Sequence, residues 1–133
     1  MSVRIEGRGE ELLKDKNFAN VATLRADGSV HGVPTWVDVQ DGRPVLNTAV
    51  GRVWPRNLER DPRVTLIVQN SQNPYEYLEV RGREAERTRE GADEHIDQLA
   101  RKYLGVDTYP NRQPGEQRLI IRLDPDQARV HGG

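Results

Sequence analysis

The stretch NTAVGRVWPRNLERDPRV, residues 47–64, holds the densest set of groups able to recognise an anion. Asn47 and Thr48 offer neutral donors, and Gly51 allows a tight turn. Arg52, Trp54, Arg56 and Asn57 then gather where a short helix is expected to begin. The free N–H groups of a helix start favour an anion, and an arginine fork donates two parallel hydrogen bonds to a phosphate. The same spacing also fits a surface charge cluster in which Arg52 and Arg56 pair with Glu59, Asp61 or other surface acids. The pattern alone leaves both readings open.

Other chemistry finds less support. His31, His95 and His131 fall on a strand, a helix and the tail without metal-type spacing, so surface or structural roles are expected. The absence of cysteine excludes disulfides, thiolate catalysis and sulfur-ligated metals. Ser2, Ser29 and Ser71 do not sit in a G-x-S-x-G elbow, and the glycine-rich phosphate loops are absent. Asp93, Glu94 and Asp97, followed by Arg101 and Lys102, read as a solvated helix face with acids early and bases late.

The elements that must position these groups are mostly strands. A short helix over residues 9–16 can bury only Leu12 and Leu13. In FANVATLRADGSVHGVPTWVDVQDGRPVLNTA, Asp27-Gly28 and Asp41-Gly42 separate three β-rich runs, which predicts a three-stranded antiparallel meander. In its second strand His31, Val33, Thr35, Val37 and Val39 share one face; Val30, Gly32, Pro34, Trp36 and Asp38 share the other. Gly32 and Pro34 predict a bulge or a close approach there. A helix over 54–61 fits Pro55 and Pro62 at its ends.

Strands are expected over 64–69 and 75–86, separated by the turn-rich NSQNP. GADEHIDQLARKYLG places Ile96, Leu99, Tyr103 and Leu104 at helical spacing with Gly105 as C-cap. EQRLIIRLDPDQARV supplies a sixth strand with a bulge at Asp124-Pro125. About six antiparallel strands and few helices make a mainly β chain, a small barrel.

A length of 133 residues suits one domain, here residues 1–133. Only 35% of residues are apolar, and so small a core often completes its burial at a subunit interface. The net charge of −1 argues against a general nucleic-acid or membrane coat. The N-terminus has no signal-peptide core, and no run approaches about 18 apolar residues. A cytoplasmic protein is expected.

The succession FANVATLRADGSVHGVPTWVDVQDGRPVLNTA, GRVWPRNLERDPRVTLIV, NPYEYLEVRGR and GADEHIDQLARKYLGVDTYP resembles the pyridoxamine 5'-phosphate oxidase-like split β-barrel superfamily, with the nearest likeness to actinobacterial reductases that use the deazaflavin coenzyme F420. The resemblance implies a homodimer of split barrels with cofactor sites at the subunit interface. It implies a flavin-like ring along Val33, Pro34, Thr35 and Trp36 beside Asn47 and Thr48, with the cofactor phosphate at Arg52, Trp54, Arg56 and Asn57. The partner subunit would contribute Asn73, Pro74, Tyr75 and Tyr77, and residues near Lys102 or Tyr109.

The chain departs from that family at Trp54, where F420-binding members carry a phosphate-contacting lysine in a GR-x-K-x-RNL pattern. Losing one charge-assisted contact without replacement costs about 1.5–3 kcal/mol. The indole could line the pocket, block the phosphate site or turn into the dimer interface. The function implied is hydride transfer from reduced F420 to an electron-poor double bond, with Tyr77, His31 or solvent as proton donor. The alternatives are an FMN- or haem-binding split barrel and a non-catalytic cofactor- or metabolite-binding protein.

Overall fold

The computed structural model describes residues 2–132. The elements run α1 (Gly7–Lys14), β1 (Ala19–Leu24), β2 (Val30–Thr35), β3 (Asp38–Gln40), β4 (Arg43–Ala49), α2 (Val53–Arg60), β5 (Arg63–Gln69), β6 (Tyr77–Thr88), α3 (Ala92–Leu104) and β7 (Arg118–His131). All seven strands join one antiparallel sheet in the order β2-β1-β5-β6-β7-β4-β3. This is the mainly β architecture of a split barrel.

The meander expected for the first three runs does not form, because the second run divides. Its first half, β2, pairs with β1, and its second half, β3, pairs with β4 at the opposite edge of the sheet. The break falls at Trp36 and Val37. Val37 is fully buried in the core, whereas Trp36 packs outward against Tyr103 and Tyr109. Two neighbouring large side chains thus bury in different places, which a continuous strand with one core face would not allow.

The backbone freed at this corner is satisfied by α3. The Val37 N–H donates to the Tyr103 hydroxyl at 3.1 Å, and that hydroxyl donates to the Asn17 carbonyl at 2.6 Å. Lys102 Nζ donates to the carbonyls of Leu13 and Val37 at 2.7 and 2.8 Å. Residues 102 and 103 therefore tie the end of α1 to the split between β2 and β3.

The turns follow their residues in detail. Asp41 and Gly42 both take positive φ, 54° and 73°, as a two-residue hairpin requires. Gly28 is also left-handed, φ 86°, but it closes a longer turn in which the Gly28 N–H meets the Arg25 carbonyl at 2.9 Å. The register of β2 on β1 is regular through Gly32 and Pro34, so no bulge occurs there. Proline is tolerated because β2 is an edge strand whose outer N–H groups need no partner. The expected bulge in the last strand is present beside Pro125, where the β6 register shifts between Arg81 and Gly82; a second shift lies between Glu84 and Glu86.

The core fills the barrel with Val21, Leu46, Leu66, Val68, Leu78, Val80, Ile121 and Leu123; Leu12 and Leu13 of α1 join it, as do Trp54 and Leu58 of α2. Helix α3 packs outside the sheet, where Ala92 meets Val45 of β4 and Ile120 of β7. Its C-cap is Gly105 at φ 70°, as expected, but Leu104 is 47% exposed and does not belong to the buried stripe. No helix among the described residues is long and apolar enough to cross a membrane.

Candidate functional site

A cavity of about 200 Å³ opens between the end of β2, the outer face of β4, α3 and the loop before β7. Pro34, Thr35 and Trp36 come from the sheet edge, Asn47 from β4 and Arg52 from the residue that starts α2. Tyr109 and Arg118 close it from the late segment. Strand alternation explains the selection on β4: Val45 and Asn47 face α3 and the cavity, while Leu46 and Thr48 face the barrel interior.

The walls are aromatic. Trp36 stacks on Tyr103 with ring centroids 5.2 Å apart and planes 4° from parallel. Tyr109 meets Trp36 edge-on at 5.9 Å, and Phe18, 56% exposed, stands at the rim. The Tyr103 hydroxyl is held protonated by burial, which pushes it up to about 12, so it serves the backbone as a neutral donor and acceptor.

The floor is a buried polar chain. Arg118 Nε donates to Asn47 Oδ1 at 2.9 Å. The Asn47 amide nitrogen donates to the Ala92 carbonyl at 2.9 Å and lies 3.0 Å from His95 Nδ1. Arg118 can only donate and Ala92 can only accept, so the amide orientation is fixed by its partners. His95 Nδ1 must then accept, which leaves the ring hydrogen on Nε2, 3.5 Å from Asp38 Oδ2. Burial opposes charge on Asp38, but the His95 ring, the Val39 N–H and the Lys102 ammonium hold the carboxyl below its usual range.

Charge is arranged unevenly around this floor. The Arg118 side chain is 3% exposed and Glu116 is 8% exposed; Arg118 Nη1 reaches Glu116 Oε1 at 3.2 Å. Arg52 Nη2 lies 3.9 Å from the other oxygen of the same carboxylate. Two guanidinium groups thus share one acid. Burial and the neighbouring Arg52 charge hold Arg118 below its usual range against the opposing pull of Glu116.

Of the residues expected to bind a cofactor, the cavity gathers Pro34, Thr35, Trp36, Asn47 and Arg52. Arg56 is exposed on the same short helix and has no ion pair among the described residues. Of the acids named as surface partners for the two arginines, Glu59 pairs instead with Arg87 at 3.3 Å and Asp61 with Arg63 at 2.7 Å, while Arg52 reaches Glu116.

The remaining expected residues lie elsewhere. Trp54 is 4% exposed and packs into the core of its own chain, so its indole neither lines the cavity nor obstructs it, and little of it is left for another subunit. Asn57 binds Thr23 at 3.1 Å and fastens α2 to β1. Val33 packs against the core, and Thr48 is buried with its hydroxyl unpartnered. Tyr77 stacks on His131 at 4.6 Å. Lys102 is committed to carbonyls of its own chain, whereas Tyr109 does line the cavity.

Arg118, Glu116 and His95 are site residues that the spacing did not single out. His95 had a signal, since it falls on the apolar stripe of α3 with Ala92, Ile96 and Leu99. Arg118 had little, because its burial depends on pairing β7 with a strand some 70 residues earlier.

The comparisons with known proteins agree with this architecture. The family model described as pyridoxamine 5'-phosphate oxidase matches residues 5–132. Among solved structures, an F420 reductase is similar at 25% identity with a TM-score of 0.81, covering 94% of this chain and 98% of its own. A conserved hypothetical protein from Mycobacterium tuberculosis is 21% identical with a TM-score of 0.74, covering 98% and 86% respectively. General Stress Protein 26 from Bacillus anthracis shares the fold at 16% identity and a TM-score of 0.68, covering 91% and 88%. No curated protein sequence matches. With the split-barrel sheet, the cavity at its open edge and a family match over nearly the whole chain, the protein belongs to the pyridoxamine 5'-phosphate oxidase family.

Proposed function

We propose that the chain is a reductase that binds coenzyme F420 and delivers its hydride to an electron-poor double bond of a small organic acceptor. The observation that carries this reading is the cavity between Pro34, Thr35, Trp36 and Asn47, bordered by Arg52 at an α2 start that no side chain caps. The likeness to an F420 reductase over nearly both chains supports the choice of coenzyme.

The donor set fits the group. Arg52 is about half exposed, Arg56 has no ion pair among the described residues, and both stand at a helix start suited to a phosphate. Thr35, Trp36 and Asn47 would hold the ring. Because Trp54 is turned into the core, the phosphate charge would be met by the two arginines without the family lysine. Bound reduced F420 would supply the hydride, and the protein would position the acceptor and exclude water.

The reading includes a homodimer in which Tyr75, 76% exposed, and Tyr77 belong to the surface facing the second subunit. Light scattering at micromolar concentration tests it, with a mass twice that of the chain as the expected result. Titration of the purified protein with F420 tests the function itself. Saturable binding followed by oxidation of the reduced coenzyme in the presence of an enone is expected, and absence of binding would overturn the reading.

A further inference from the structure

Arg118 is nearly enclosed, yet it is not fully used. Its Nε is taken by Asn47 and its Nη1 by Glu116, but Nη2 has no hydrogen-bond partner among the described residues. The guanidinium carbon lies 5.2 Å from the centroid of Tyr109, which stands edge-on to Trp36. Among the described residues no carboxylate lines the cavity, and Glu116 is divided between Arg118 and Arg52. A buried guanidinium with a free N–H edge is costly to maintain and strongly favours an oxygen anion that can reach it.

We propose that the Arg118 end of the cavity is an oxyanion subsite that receives the carboxylate of a planar, conjugated acceptor whose ring or double bond lies against the cavity-lining sides of Trp36 and Tyr109. The Arg118 guanidinium selects the acid, and the aromatic walls select a flat one. Asn47 and Glu116 act as positioning residues. They hold two nitrogens of Arg118 so that the third remains directed at the ligand. This inference rests on the reductase reading for the word acceptor, but the subsite itself is a property of these side chains.

Benzoate tests it on the full chain. Titration followed by tryptophan fluorescence and calorimetry should show saturable binding. Benzamide, which has the same shape without the charge, should bind at least tenfold more weakly. Trp36→Phe should lose most of the fluorescence response, with its binding followed by calorimetry. Arg118→Gln should abolish the preference for benzoate over benzamide, and if that variant fails to fold, Arg118→Lys, which retains charge without the fork, should reduce the preference severalfold. Equal binding of benzoate and benzamide, no binding of either, or an unchanged preference in a folded Arg118 variant would overturn the subsite.

A second arm uses protein saturated with F420. Undiminished benzoate binding supports an acceptor site, whereas competition would overturn it by assigning Arg118 to the coenzyme. Benzoate binding in a protein that does not bind F420 would refute the reductase reading and leave the oxyanion subsite standing.

Discussion

Arg118 Nε donates to Asn47 Oδ1 across 2.9 Å of buried space, and this bond determines the protonation pattern beneath the cavity. It turns the Asn47 amide so that its nitrogen meets the Ala92 carbonyl and His95 Nδ1. Asn47→Ala would therefore leave a buried cationic donor and a buried carbonyl unpaired at once. A loss of about 2–4 kcal/mol in urea unfolding is expected. A change below about 0.5 kcal/mol would show that water replaces the amide without cost.

The corner between β2 and β3 should give stability an alkaline maximum. Burial holds the Lys102 ammonium down at about 8, against an ordinary value of 10.5, so the folded chain sheds this proton first. The unfolded chain then binds more protons, and stability rises as pH passes from 8 towards 10. Burial pushes the Tyr103 hydroxyl up to about 12 from 10.0, so the unfolded chain ionises first and stability falls between pH 10 and 12. Denaturation midpoints across this range should rise and then fall. Lys102→Met should flatten the rise and Tyr103→Phe the fall.

Trp54 is expected to matter for folding more than for binding. Trp54→Ala should destabilise the chain by about 3–5 kcal/mol, as for other large aromatic truncations in a core. Trp54→Lys should be worse, because it adds a buried charge. Chemical denaturation measures both, and the folded fraction of Trp54→Ala should retain the coenzyme affinity of the unaltered protein.

Arg52 and Arg56 should behave in the opposite way. Exposed as they are, Arg52→Gln and Arg56→Gln should leave stability within about 0.5 kcal/mol. Each should weaken coenzyme binding by roughly ten- to hundredfold if it meets the phosphate. Isothermal titration of the two variants checks this, and unchanged affinity in both would place the phosphate elsewhere.

Much of the barrel can be read from local signals. Alternation and the two Asp-Gly pairs mark the early strands, and Gly105 marks the end of α3. The split of the second run escapes such reading, because Trp36 and Val37 choose their burial from partners on α3 and in the core. Asn47 and Arg52 are visible as donors near a helix start. The inward turn of Trp54 is written in its four-residue spacing from Leu58, an apolar stripe easily overlooked among the polar residues of α2. Arg118 depends on the pairing of β4 with β7, a contact that no local pattern encodes.

The most direct test of the proposed function is equilibrium binding of coenzyme F420 to the purified protein, followed by fluorescence. Saturable binding with a Kd below about 10 μM, weakened by Arg52→Gln, is the predicted result. No binding at several times that concentration, or a visible flavin or haem spectrum in the protein as purified, would contradict it.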